Sequence, residues 1–163
     1  MNEQSQVCTP VMVDGYTMTI LGTKYPKALT IKGRLPGLNE YIAACNAAYA
    51  EGNRMKQESV DTVMWHILSQ LRGVRFTKPV FIMFTYYEPN KRRDHDNVSS
   101  FARKAIQDAL VKCGTIKDDG WGYVTGHMDF FDVDKEDPRI VVEFIEQEVP
   151  PKCNKRQGKN SKK

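Results

Sequence analysis

The chain has 163 residues, 40% hydrophobic and 27% charged, a composition typical of one globular domain that buries a core without disulfides. No stretch approaches the roughly 18 apolar residues of a membrane-spanning helix, and residues 1–6 lack the basic start and apolar run of a secretory signal. The four cysteines form no C-x-x-C pair, which speaks against a zinc site or a disulfide framework. We therefore expect a cytoplasmic protein without a membrane partner.

The net charge of +4 is concentrated at the carboxyl terminus. Residues 149–163 carry six of the 24 basic residues and no acidic residue, so the rest of the chain has 18 basic residues against 20 acidic ones and is close to neutral. This segment is polar and nearly free of apolar residues. We expect a disordered basic tail that contacts phosphates without sequence preference.

The amino-terminal third begins with a weakly patterned segment, residues 1–27. Within it, the Asp14-Gly15 pair is a favoured turn, and the residues around it predict a short hairpin. Residues 28–34 alternate apolar with polar and predict a strand, which Pro36 and Gly37 end. The structured domain is expected to extend from residue 28 to residue 148.

Apolar residues at three-four spacing predict that residues 38–73 form one long helix or two helices in series. Asn39 is the expected N-cap, and the pattern has a weak point near Gly52. The following segment, residues 79–87, is apolar on both faces. It predicts a strand at the centre of a sheet.

A loop over residues 88–96 leads to a further helix, predicted over residues 97–113 and ended by Gly114. Two more strands are expected at about residues 123–133 and 139–146. Together these elements predict an α+β fold, a small mixed β-sheet of about four strands with helices packed on it.

An acidic cluster, Asp94-His95-Asp96-Asn97, stands where the loop passes into the helix. Side chains two apart on an extended segment point the same way, so the carboxylates of Asp94 and Asp96 can face one point, where they repel each other unless a cation lies between them. Mg²⁺ prefers such oxygen ligands, accepts substrate phosphates and assists phosphodiester hydrolysis. The alternative is a helix cap, in which the carboxylates accept from the free N–H groups of the first turn.

Charged groups on either side of this cluster fit a nuclease. The run Lys91-Arg92-Arg93 suits a phosphate backbone that is delivered to a metal, although a short basic run also suits a solvated loop. Downstream, Asp118-Asp119-Gly120 supplies a second acidic pair, or an ordinary turn before a strand. Lys104 and Asp108 stand four apart on the polar face of the helix, where a surface ion pair is the ordinary explanation.

The order of these motifs resembles the RusA family of Holliday junction resolvases, found in bacteria, their phages and prophages. The family pattern is a D-x-D-N, a lysine, a D-A-L on the same helix, and a D-D after a glycine and an apolar residue. This chain carries these parts as Asp94–Asn97, Lys104, Asp108–Leu110, and Gly114 with Ile116 before Asp118-Asp119. Its segment Leu35–Asn39 is also similar to a proline-then-asparagine segment of the family, and the resemblance covers about residues 28–146.

The resemblance implies a homodimeric, Mg²⁺-dependent endodeoxyribonuclease, with Mn²⁺ as a substitute metal, that cleaves branched DNA in recombination and repair. Asp94, Asp96 and Asp119 would be the catalytic metal carboxylates, with Asp118 beside them. Lys104 would be the family's functional lysine, but it follows Asp96 by eight residues where the family pattern has four. The difference is about one helical turn, or roughly 6 Å along the axis.

The length of the predicted helix separates the two acidic groups. Residues 97–113 would span about 25 Å, with Asp96 at the start and Asp119 beyond the end, and residues 114–119 would reach at most about 20 Å. An antiparallel pair of helices across a two-fold axis would bring each helix start to the partner's helix end. We therefore expect a homodimer whose sites combine Asp94 and Asp96 of one subunit with Asp119 of the other.

Other functions remain open from the sequence. One is a protein that holds branched nucleic acid but cleaves it weakly or not at all, and another is a metal nuclease for flaps, forks or RNA. A small-molecule phosphohydrolase is less compatible, because it would need neither the basic tail nor the basic run. Trp121 and Tyr123, which follow the second acidic pair, are expected to pack in the core, with stacking on an opened base as the alternative.

Overall fold

The structure, a computed structural model, describes residues 8–13 and 16–148. Its elements in chain order are β1 (Cys8–Val13), β2 (Tyr16–Leu21), β3 (Thr23–Lys24), β4 (Leu29–Lys32), α1 (Leu38–Ala47), α2 (Tyr49–Gln70), β5 (Val80–Glu88), α3 (His95–Lys112), β6 (Val124–Val133) and β7 (Arg139–Glu146). The predicted α+β class with a mixed sheet is confirmed, and the main sheet has five strands rather than about four. The predicted basic tail, residues 149–163, lies outside the described residues.

The strand β5 lies at the centre of the main sheet, as its apolar sequence predicted. It pairs antiparallel with β7 on one side and parallel with β6 on the other, while β3 and β4 pair with the far side of β7. The parallel pair follows from α3, which connects β5 to β6, because two parallel strands need a crossover between them. The carboxyl ends of β5 and β6 therefore meet at one edge, beside the start of α3.

The buried side chains form two clusters, because successive residues of β5 point to opposite faces of the sheet. The larger cluster joins Ile82, Phe84 and Tyr86 to the buried residues of α2 and α3. The smaller cluster joins Met83 of β5 to the side chain of Ile20 and to β7. Helices α2 and α3 thus cover one face of the sheet, and α1 packs against these two helices.

The amino-terminal segment contains the predicted hairpin. Its strands β1 and β2 pair antiparallel, with Val13 opposite Tyr16. The short strand β3 follows and joins the main sheet through β7, where Thr23 lies opposite Glu146. Residues before the expected domain start at residue 28 therefore contribute to the main sheet.

The predicted helical region 38–73 is two helices in series, and they meet at Ala48 rather than near Gly52. Ala48 has extended backbone angles, φ −163° and ψ 142°, which interrupt the helical hydrogen bonds. Gly52 lies inside α2, where an added Cβ would come within 2.3 Å of the Cys45 sulfur, so glycine allows α2 to approach α1 closely. In the described part of the chain, no helix has the length and apolar character to cross a membrane.

A pair of leucines tests this account of the core. Leu110 of α3 is fully buried, whereas Leu68 of α2 is 54% exposed. Leu110→Ala should lower the free energy of unfolding by about 3 kcal/mol, because it leaves a cavity, and Leu68→Ala should lower it by no more than about 0.5 kcal/mol. Urea unfolding of the two variants measures the difference. Equal losses would show that α3 is not packed as described.

Candidate functional site

A cleft of about 710 Å³ opens where the carboxyl ends of β5 and β6 meet the start of α3. The parallel register sets the last residue of β5, Glu88, beside the last residue of β6, Val133. Four carboxylates line the cleft, those of Glu88, Asp94, Asp96 and Asp132. The basic side chains of Lys91 and Arg93 line it as well. The acidic cluster predicted from the sequence therefore faces a cavity.

The wall of the cleft contains a buried ion pair between Glu88 and Arg93. Arg93 donates from Nε to Glu88 Oε2 at 3.0 Å and from a terminal nitrogen to Oε1 at 2.7 Å, a bidentate arrangement. Both side chains are largely buried, at 11% and 14% exposure. Arg93 therefore holds the loop after β5 in place. The sequence predicted that Lys91, Arg92 and Arg93 contact phosphates. Lys91 and Arg92 are exposed, whereas Arg93 is engaged in the ion pair.

Two distant motifs meet at this loop. Arg93 also donates to the carbonyl of Leu35 at 3.1 Å, and the Asn97 side-chain oxygen accepts from the Asn39 N–H at 2.9 Å. Gly37 lies against Asn97, where an added Cβ would be 2.5 Å from the side-chain oxygen. Asn39 is thus not the N-cap of α1, as was predicted; that position is Gly37. The asparagine of the D-x-D-N motif joins α1 to α3.

The geometry predicted for Asp94 and Asp96 is wrong in one respect. They do not lie on one extended segment, because α3 begins at His95. Asp94 is the N-cap, and its carboxylate accepts from the Asn97 N–H at 2.7 Å, so the capping alternative is correct for this residue. Asp96 lies in the first turn and is exposed, without a hydrogen bond or ion pair to the described side chains. Both carboxylates still line the same cleft.

The second acidic pair lies along α3 rather than at its start. The Lys104 ammonium is 2.8 Å from Asp119 Oδ2 and 2.8 Å from Asp108 Oδ1, and Lys56 of α2 reaches the other oxygen of Asp108 at 3.0 Å. The predicted ion pair between Lys104 and Asp108 is confirmed. Asp118 is exposed and takes no part in this network.

The ion pairs shift the titration of these groups. Hydrogen bonds to Asp108 and then to Asp119 raise the pKa of Lys104. The hydrogen bond from Lys104 lowers the pKa of Asp119. Burial acts to raise the pKa of Asp108, but the hydrogen bonds from Lys104 and Lys56 outweigh it and lower that pKa. At neutral pH Lys104 is therefore protonated and acts as a positive charge and donor, not as a base.

The predicted metal carboxylates do not come together within one chain. Within the described ranges, no group of three or more His, Cys, Asp or Glu side chains is arranged to hold a metal ion. Asp119 contacts Lys104, which follows Asp96 by eight residues, or about 12 Å along the helix axis. The carboxylates of Asp94, Asp96 and Asp132 supply the hard oxygen donors that Mg²⁺ prefers, but they need further ligands.

Two carboxylates of the cleft were not identified from the sequence, those of Glu88 and Asp132. A signal was available, because a helix between two predicted strands indicates a parallel pair whose carboxyl ends lie side by side. The prediction for Trp121 was wrong, since its side chain is 97% exposed rather than packed in the core. Tyr123 is partly buried, and the Lys117 ammonium lies 5.8 Å from its ring centre.

Two alanine substitutions separate the structural role of Arg93 from the exposed position of Arg92. Arg93→Ala should lower the free energy of unfolding by about 2–3 kcal/mol, because it leaves the buried Glu88 carboxylate with only the longer, 3.7 Å ion pair to Arg34. Arg92→Ala should change it by no more than about 0.5 kcal/mol, since Arg92 is exposed. Chemical unfolding measures both. Equal, small changes would contradict the structural role of Arg93.

The influence of Lys104 on Asp119 can be measured by NMR titration of the carboxyl carbon. Lys104→Met should raise the pKa of Asp119 towards its ordinary value of about 3.9, because the ammonium that favours the charged form is gone. Lys112→Met, on the same helix but bonded to Gln57, should leave it unchanged. In the native chain the Asp119 contribution to stability is present above that ordinary value and is lost as the pH falls through the lowered pKa. An unaltered Asp119 titration in Lys104→Met would contradict the contact.

Comparisons with known proteins give no family for this chain. A scan against models of protein families finds no match, and no curated protein matches the sequence significantly.

Proposed function

We propose that this chain is a RusA-like, Mg²⁺-dependent endodeoxyribonuclease that cleaves branched DNA, such as Holliday junctions, in recombination and repair. The observation that supports this most is the cleft that Asp94, Asp96 and Asp132 line together, where two parallel strands end beside the start of α3. Lys91 lines the same cleft and Arg92 is exposed beside it, so cations are available for a phosphate backbone next to the carboxylates. Carboxylates beside cations are the arrangement that metal-assisted phosphodiester cleavage needs.

The metal would be held by the cleft carboxylates, Asp94, Asp96 and Asp132, and completed by Asp118 or Asp119. Mg²⁺, or Mn²⁺ in its place, supplies a Lewis acid and lowers the pKa of a bound water. The residues of the chain bind and orient: the Glu88–Arg93 pair fixes the loop that presents Asp94, and the start of α3 favours negative charge.

The site is proposed to be shared across a homodimer. Asp119 of one chain is held on Lys104, whereas the partner subunit's Asp119 would reach the cleft at the start of α3. The contact between Lys104 and Asp119 is an exposed ion pair, which contributes little stability, so Asp119 can exchange it for a metal at low cost. Two such sites related by a two-fold axis suit a four-way junction, in which two strands are cut as a pair.

A second candidate is a branched-nucleic-acid binding protein that cleaves weakly. It is favoured by the absence of a three-ligand metal cluster within the described part of one chain. It would use Lys91, Arg92 and the basic tail for phosphates and need no metal. A metal nuclease for flaps, forks or RNA would share the site and differ in substrate alone.

Cleavage of a labelled four-way junction in the presence of Mg²⁺ separates these functions. Asp96→Asn should reduce the rate by roughly 100-fold or more, because it removes a metal carboxylate without changing shape. Asp61→Asn, an exposed carboxylate on α2, is the matched control and should be as active as wild type. Fork, flap, duplex and RNA substrates are tested in parallel at the same salt.

A wild-type protein that binds the junction but never cuts it would favour the binding protein. Faster cleavage of forks, flaps or RNA than of junctions would change the assigned substrate but not the site.

Mixing two inactive variants tests the shared site. If each site combines Asp96 of one chain with Asp119 of the other, a heterodimer of Asp96→Asn and Asp119→Asn contains one intact site. Random exchange of subunits should then restore about a quarter of the wild-type number of sites, although each variant alone is inactive. If each site lies within one chain, every site in the mixture carries a substitution, and no activity returns.

A further inference from the structure

The side chain of His95, the first residue of α3, stacks on the ring of Phe131 near the end of β6. The two ring centres are 4.0 Å apart, and the ring planes differ by 6°. Phe131 also stacks on Tyr86 of β5, with 5.3 Å between the ring centres and 17° between the planes. Tyr86 is buried, Phe131 is half-buried and His95 is exposed, so the three rings lead from the core to the surface. The inner rings therefore hold the outermost one, that of His95, in position.

The His95 ring lies in the cleft beside the carboxylates. It lines the cavity of about 710 Å³ together with Phe131 and the side chains of Val98 and Val133. Among the described residues, its ring contacts Phe131 by stacking and makes no hydrogen bond or ion pair. Phe131 covers one face of the His95 ring, which leaves the other face for a ligand. The cleft thus contains a flat, apolar surface next to its acidic groups.

A ligand that matches this surface is planar and carries a phosphate. A planar ring can stack on the free face of His95 as Phe131 does on the other face. The phosphate would meet Lys91, which lines the same cleft, and Arg92, which is exposed beside it. A nucleotide combines both groups. In a continuous duplex each base is covered by its neighbours above and below, so only an unpaired, unstacked base presents a free face.

We propose that His95 binds one unpaired nucleobase of a DNA strand by stacking, with Phe131 as the positioning residue beneath it. His95 stands between Asp94 and Asp96, so the base belongs to a nucleotide close to the phosphate that the metal would bind. Stacking uses the π-face that every base has, so this contact selects unpaired structure rather than sequence. The inference rests on the proposed function, which brings nucleic acid to the cleft, and it specifies the substrate class as DNA with unpaired bases, at a branch or in a single strand.

The other use of a histidine in such a cleft is through its ring nitrogens, as hydrogen-bond donors or metal ligands. The near-parallel stack on Phe131 engages the face of the ring instead, and Mg²⁺ prefers oxygen ligands. Two substitutions separate these uses. His95→Phe keeps a flat ring and removes the nitrogens, whereas His95→Gln keeps hydrogen-bonding groups and removes the ring.

The binding of two single strands about ten nucleotides long tests the proposal. One strand is oligothymidylate, and the other has the same phosphates but an abasic sugar at every position. Fluorescence anisotropy measures both affinities with Ca²⁺, which also takes oxygen ligands, in place of Mg²⁺. Wild type should bind the strand with bases at least roughly fivefold more tightly, because stacking contributes to that strand alone. His95→Ala and His95→Gln should remove most of this difference, and His95→Phe should keep it.

Two further substitutions serve as controls. His127→Ala removes an exposed histidine of β6 that does not line the cleft, and it should leave both affinities unchanged. Lys91→Ala should weaken the binding of both strands by the same factor, since it removes a phosphate contact and no stacking surface. A fully paired duplex should bind wild type and His95→Ala equally. Thermal unfolding followed by circular dichroism checks that each variant is folded.

The proposal is overturned if wild type does not prefer the strand with bases, or if His95→Phe loses the preference as His95→Ala does. A loss of duplex binding in His95→Ala equal to its loss of single-strand binding would also overturn it. Cleavage is not measured here, so the two proposals can fail separately. A protein that shows the His95-dependent preference but cuts no DNA would refute the nuclease. One that cuts junctions without this preference would refute the stacking contact alone.

Discussion

The burial of β5 is the constraint on which the rest of the structure depends. The strand is paired on both sides and covered on both faces, so its carboxyl end must leave the core at one place. The residue at that place is Glu88, whose buried carboxylate is paired with Arg93, with the Arg34 guanidinium farther away at 3.7 Å. This pair determines the path of the loop between β5 and α3, and through Leu35 it also fixes the segment that precedes α1. The cleft is thus positioned by core packing and by the ion pair of Glu88, while the exposed Asp96 carboxylate has no hydrogen bond or ion pair to the described side chains.

The acidic groups are divided between two places on α3, so one chain does not gather the carboxylates of the proposed metal site. Asp94 and Asp96 lie at the start of the helix, where the peptide dipoles favour negative charge. Asp119 lies halfway along it, neutralised by Lys104. Separation avoids repulsion among carboxylates in a lone chain, and assembly with a partner would bring them together around a cation. Lys104 keeps Asp119 in its charged form, which is the form that the proposed metal would bind.

Much of the fold follows from apolar periodicity, because long patterned segments such as β5, α3 and β7 are determined by burial alone. The details near the site do not follow, because they depend on single tertiary contacts. Whether the helix begins at His95 or two residues later is decided by the capping carboxylate of Asp94, and the break at Ala48 has no glycine or proline to mark it. Arg93 appears as one of three equivalent cations in the sequence, and only the position of Glu88 separates it from its neighbours. Trp121 is exposed although the sequence predicted that it is buried. The prediction rested on the general tendency of aromatic residues next to strands to pack in the core.

The central claim is that the cleft carboxylates hold a divalent cation. Iron-mediated cleavage of the polypeptide tests it directly, without DNA. Fe²⁺ takes the place of Mg²⁺ on the oxygen ligands, and its reaction with added hydrogen peroxide, with ascorbate to regenerate Fe²⁺, forms hydroxyl radicals that cut the neighbouring backbone. Peptide mapping should find cuts near residues 94–96 and 131–133, and near residues 118–120 when the dimer forms. Added Mg²⁺ should suppress all of them. Cuts elsewhere in the chain, or cuts at these positions that survive in Asp96→Asn and in excess Mg²⁺, would contradict the claim.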